Sequence, residues 1–145
     1  MRNITFLRYA ILFSIVLLTF GIFTNFYLTF NNILEVEQKT FLFMNILSFL
    51  FIAGLFFLQQ ALSNFSKRDF FTEQSMKSLK TSGYLFILFS LSCIIHNILY
   101  IDSNETLLIN LIMYILVLSI GFGLICFSNI IKEGKNLKQE NELTI

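Results

Sequence analysis

Residues 40–66 read TFLFMNILSFLFIAGLFFLQQALSNFS, 27 positions without one Asp, Glu, Lys or Arg. A bilayer core of about 30 Å takes roughly 20 apolar residues of helix at 1.5 Å per residue. A helix on a soluble core must turn one polar face to water, and this run has none to turn. Three further charge-free stretches flank it, Tyr9–Leu34, Thr81–Ile101 and Thr106–Ile131, none shorter than 21 residues. The chain therefore reads as an all-α integral membrane protein. The expected fold is a four-helix up-down-up-down bundle with spans near 8–30, 40–62, 81–101 and 107–131.

Composition agrees. Of 145 residues, 56% are hydrophobic and 13% charged, against about 25% charged in a soluble domain. The spans take up most of the chain, so a single membrane domain over 1–145 is expected. Arg2 and Arg8 precede the first run as the basic region of a signal peptide would. The run is longer than the roughly 7–15 residues of a signal h-region and no A-x-A site follows it, so an uncleaved first span is expected. Cys93 and Cys126 fall at depths about 10 Å apart at 1.5 Å per residue, beyond disulfide reach, and read as small apolar fillers.

The breaks carry turn chemistry. Asn31-Asn32 closes the first span and Asp102-Ser103-Asn104 separates the third from the fourth; each of these side chains can bond its own backbone. Short connections make neighbouring helices antiparallel. Nine of the ten basic residues then fall on one side, at Arg2, Arg8, Lys67, Arg68, Lys77, Lys80, Lys132, Lys135 and Lys138. Lys39 alone falls on the other, beside Glu35 and Glu37. Positive charge stays inside, so both termini, the middle loop 63–80 and the tail 132–145 are expected in the cytoplasm. Sorted this way, the net charge of +1 divides into +4 inside and −3 outside. Tyr9, Tyr27, Tyr84 and Tyr100 fall near span ends, where amphipathic rings prefer to sit, and Tyr114 lies deeper.

Antiparallel packing places Asn25, Asn45, His96, Asn97 and Asn110, from four helices, in one layer. The layer lies roughly 5–9 Å below the outer boundary. Tyr114 follows Asn110 one turn deeper on the same face. Amides unpaired in hydrocarbon are costly, so these groups are expected to turn inward and bond one another. Two readings stand side by side: glue between helices, or an outward-opening pocket for a small ligand or peptide, with His96 as its one proton-sensing side chain.

Catalysis finds little support. One His rules out an H-E-x-x-H site, and no G-x-S-x-G or C-x-x-C occurs. No carboxylate lies within a span, so a proton-coupled pump lacks its intramembrane acid. The expectation is no enzyme, no metal and no cofactor. In span four, Ser119 and Gly123 form a small-xxx-small pair. Such a pair lets helices approach within the chain or, on a sharper reading, in a homodimer.

The middle loop offers Thr72 as cap for a helix beginning at Glu73 and running on into span three. Met76, Leu79 and Gly83 share one of its faces. Phe65, Phe70 and Phe71 are expected to dip into the interface beside Lys67 and Arg68. The bland reading is a solvated loop. The sharper one is a docking surface for a cytosolic partner or for anionic lipid, at about 1 kcal/mol per base.

Two segments carry a family resemblance: KRDFFTEQSMKSLKTSGY at 67–84 and GKNLKQENELTI at 134–145. The first resembles a pattern of basic or Gly residue, aromatic, Ser or Thr, and a polar helix ending Leu-basic-x-x-Gly. The second ends in Glu140-Asn141-Glu142-Leu143-Thr144-Ile145, its most specific part. With four spans at this spacing, the whole chain resembles the bacterial membrane family catalogued as domain of unknown function 2975. Phe70 and Phe71 stand where members often have Pro-Phe. The resemblance transfers no catalytic or ligand residue. It implies a bacterial cell (inner) membrane location and a cytosolic helix-turn-helix partner, with no direct nucleic-acid contact. The expected role is an accessory or regulatory membrane protein, with Phe70, Phe71, Lys77, Leu143 and Ile145 as its docking residues. The alternative is an immunity-type or small-ligand-binding protein using the outer polar layer.

Overall fold

The computed structural model of the chain describes residues 2–31, 38–66, 72–100 and 104–143. They form four helices: α1 Arg2–Phe30, α2 Gln38–Ser66, α3 Glu73–Tyr100 and α4 Asn104–Leu143. Each is long and apolar enough to cross a membrane. Only a helix can satisfy its own backbone in lipid, and the polar side chains on lipid-facing positions follow the same rule. Ser14, Thr24, Ser48 and Ser119 donate to carbonyls one turn back, Ala10, Phe20, Met44 and Ile115, at 2.9–3.1 Å. A hydroxyl bonded this way carries no unpaired donor into hydrocarbon.

The ends obey local chemistry. Asn31 closes α1 by giving both its backbone N–H (3.1 Å) and its amide Nδ2 (2.8 Å) to the Tyr27 carbonyl. Thr72 caps α3 as expected. Its Oγ1 accepts from the Ser75 backbone N–H at 3.3 Å, and its carbonyl accepts from Met76 N–H at 3.2 Å. These are the orphan donors of a first turn finding partners. α3 therefore starts two turns before the expected span, and its Met76, Leu79 and Gly83 do share the inward face. Residues 67–71, with Phe70 and Phe71, lie outside the described residues, as do Thr144 and Ile145.

Neighbours are antiparallel. Phe26 near the end of α1 meets Phe41 near the start of α2, with ring centroids 5.0 Å apart. Between α2 and α3, Phe43 meets His96, Phe51 meets Phe86, and Gly54 meets Ser82. Between α3 and α4, Asn97 meets Asn110 and Gly83 meets Gly121. Backbones approach only between consecutive helices, α1 on α2, α2 on α3 and α3 on α4. α3 is thus the central element with neighbours on two sides, and α1 and α4 present most of their surface outward.

Among the described residues, a hydrophobic cluster joins all four helices at the end bearing both termini. There Ile11, Ala61, Leu62, Phe65, Leu79 and Ile131 are buried together. Phe65 is a correction to the sequence reading, which put it at the interface. Because α2 stays helical through Ser66, Phe65 falls one turn beyond Ala61 on the core face and meets Phe127 edge-on at 6.4 Å. Both cysteines are free; Cys93 is buried, as a small apolar filler would be, whereas Cys126 is exposed.

Candidate functional site

The polar layer expected from the sequence separates into different seams. Asn97, 1% exposed, lies between α3 and α4. It donates from Nδ2 to the Leu107 carbonyl at 3.2 Å, and its Oδ1 accepts a longer, weaker bond from Asn110 at 3.5 Å. Tyr114 follows, half-buried, on the same face of α4. Asn45 is buried on α2 but bonds its own helix, Nδ2 to the Phe41 carbonyl at 2.8 Å. Asn25 sits half-buried on α1, whose backbone comes close to that of α2 alone. The expectation that these amides bond one another holds only for the Asn97–Asn110 pair. The others share a depth but not a seam, because α1 and α4 do not close on each other.

His96 points away from Asn97, into the α2–α3 seam. Its ring stacks on Phe43 at 4.6 Å, with 14° between planes, and leans on Tyr100 at 4.8 Å. It lines a lateral cavity of about 510 Å³ together with Thr40, Phe43, Ser92, Ile95 and Leu99. Of the six residues expected to form an outer pocket, only His96 lines this cavity. Phe43, Ile95 and Leu99 give it an apolar wall, and Thr40, Ser92, His96 and Tyr100 add polar groups, so it suits a largely apolar occupant with a few polar contacts.

This split makes a test. Asn97→Leu removes the bond to Leu107 and strands the Asn110 amide. Interhelical bonds in membranes average about 0.6 kcal/mol and reach about 1.7. A loss of about 1–2 kcal/mol is expected for Asn97→Leu and under about 0.6 for Asn45→Leu, compared by thermal unfolding in one detergent. Equal losses would contradict the seam assignment.

Further polar contacts that cross between helices run down α3 towards the termini-bearing end. Ser82 Oγ donates to the Gly54 carbonyl at 2.8 Å, and Ser78 Oγ to Gln60 Oε1 at 3.1 Å, both on α2. Ser128 Oγ of α4 donates to the Met76 carbonyl at 2.9 Å. The sequence reading missed this seam, having looked for small residues only in span four. Its signal is the spacing Ser75, Ser78, Ser82, Phe86, Ser90, Cys93, Asn97, steps of three and four that keep one face of α3 inward.

At that end a second cavity, about 440 Å³, opens between the start of α3 and the outer part of α4. Lys77, Lys80, Lys132 and Lys135 line it, with Glu73 as its one carboxylate. Lys135 Nζ lies 3.6 Å from Glu73 Oε1, and Lys80 Nζ lies 6.0 Å from the centre of the Tyr84 ring. Lys77 is exposed there; Leu143 ends α4, its side chain outside the described residues. Ser119 and Gly123 face outward on α4, and no heavy atom lies within 4 Å of where a Gly123 Cβ would be. They do not hold α4 to α3; Gly121 does.

Four antiparallel apolar helices with a charged end at the termini define a multi-pass helical membrane protein. Its residues 3–145 match the family described as Protein of unknown function (DUF2975), and the chain belongs to that family. No curated protein and no solved structure matches the chain.

Proposed function

We propose that this is a non-enzymatic multi-pass protein of the bacterial inner membrane, with both termini cytoplasmic. Its role is that of an accessory or regulatory partner to a cytosolic protein, of the helix-turn-helix kind that the family resemblance implies. One observation carries the reading. α4 runs unbroken to Leu143, 12 residues past the expected span end, or about 18 Å at 1.5 Å per residue. Its base is latched to α3 by the Ser128 and Lys135 contacts, and it displays Leu137 at 62% exposure. A helix held at its base and carrying an exposed Leu among charges is a surface for a partner helix or groove. No cofactor and no reaction belong to this reading, since no intramembrane acid or second His is available for one.

A photo-crosslinking residue substituted for Leu137 should give one discrete adduct with a cytosolic protein in living cells. Deleting Glu140–Ile145 should remove that adduct while leaving insertion intact, because the spans carry insertion. Adducts with lipid alone would overturn the reading.

The His96 cavity favours the second reading, a small-ligand-binding or immunity-type protein working from the outer leaflet. The outward pair Ser119 and Gly123 supports a homodimer through α4.

A further inference from the structure

We infer that the basic groove between α3 and α4 is a binding site for the phosphate-bearing headgroup of an anionic phospholipid. The site is independent of the proposed protein partner. Among the described residues, four lysines face one carboxylate there, a net charge of +3. Two lysines come from each helix at a spacing of three, Lys77 and Lys80 on α3 and Lys132 and Lys135 on α4. Clustering them on neighbouring helices is unfavourable without an anion, because like charges repel. Glu73 offsets only part of this, through Lys135. Amide side chains of Asn129 and Asn136 also line the groove and can bond phosphate oxygens.

Position selects a lipid over a free anion. From Glu73 to Lys80 the groove extends about 10 Å along α3 at 1.5 Å per residue. That compares with the headgroup layer of one leaflet, roughly 5–8 Å. The same face of α3 then continues as Tyr84, Leu88 and Leu91, all exposed, in steps of three and four. The lysines therefore stand at the top of an open apolar column, the layout of a phospholipid with its headgroup above and an acyl chain below. Basic pockets between spanning helices bind such headgroups by this physics. A free phosphate or a soluble acidic peptide would gain nothing from the column.

The test uses the purified full-length protein in a neutral detergent, with lipid retention read by native mass spectrometry. Phosphatidylglycerol should bind in preference to phosphatidylcholine of identical acyl chains, and the preference should fall with salt. A lysine near the surface is worth about 1 kcal/mol, or about fivefold. Lys77→Gln combined with Lys132→Gln should thus weaken phosphatidylglycerol binding roughly 25-fold. Lys77→Arg with Lys132→Arg should retain it, and Lys39→Gln, at the opposite end, should change nothing. All these positions lie on the surface or at helix ends, so folding should survive. Equal binding of the two lipids, or an unchanged preference in the double Gln variant, would overturn the site. Displacement of the lipid by inorganic phosphate at constant ionic strength would overturn its assignment to a lipid.

Discussion

Gly83→Leu should prevent α3 and α4 from docking, and Gly83→Ala should already cost about 1–3 kcal/mol, the usual range for overpacking. A Cβ on Gly83 would lie 2.7 Å from the Gly121 carbonyl oxygen and 2.7 Å from Ile125 Cγ1. A Cβ on Gly121 would meet the Gly83 oxygen at 2.9 Å and the Ile87 nitrogen at 3.1 Å. The obstacles include backbone on both sides, so no rotamer change relieves them and the helices must part. Parting them lengthens the Ser128–Met76 and Asn97–Leu107 bonds, which lie on either side of the glycine contact along the same seam. Gly54 differs, because its nearest obstacle is the Phe86 ring edge at 2.7 Å, a side chain with some freedom to swing. Gly123→Ala supplies the control, with open space at its Cβ. The order of thermal stability in one detergent should be wild type and Gly123→Ala highest, Gly83→Ala and Gly121→Ala lower, with Gly83→Leu lacking a cooperative transition. A Gly83→Ala protein as stable as wild type would mean that the two backbones do not approach as described.

The second large effect is all-or-none. In a background with Cys93→Ala and Cys126→Ser, Ser103→Cys should react with a membrane-impermeant maleimide on intact cells. Asn136→Cys should react only after lysis. Nine of the ten basic residues lie on the side of Asn136, and the bias of Lys and Arg sets orientation. Asn136 is exposed on α4 and Ser103 precedes the start of that helix, so α4 itself separates the two labels by more than a bilayer. The reverse pattern would place the α4 extension and the lysine groove outside the cell. It would remove the cytosolic-partner reading, while the in vitro lipid measurement would stand unaffected.

The spans, their antiparallel order and the α3 cap were legible in the sequence. Each depends on local quantities: the length of a charge-free run, the lack of alternatives to helix in lipid, and a Thr72 three residues before Ser75. Depth was legible too, since 1.5 Å per residue converts position into level. Azimuth was not. Asn25, Asn45, His96 and Asn97 share a level, yet they face different neighbours, because the helix backbones come close only to those of their sequence neighbours. Apolar surface runs around most of each helix, so a hydrophobic stripe cannot mark which side faces protein; lipid is as apolar as a core. What marks it instead is close fit. Gly83 against Gly121, Ser82 on the Gly54 carbonyl and Ser128 on the Met76 carbonyl set the rotation of α3. That rotation brings Lys77 and Lys80 opposite Lys132 and Lys135, and turns His96 towards Phe43. Local chemistry determined that four helices cross a membrane and where each begins; only the packing of small side chains between them decided which polar groups meet.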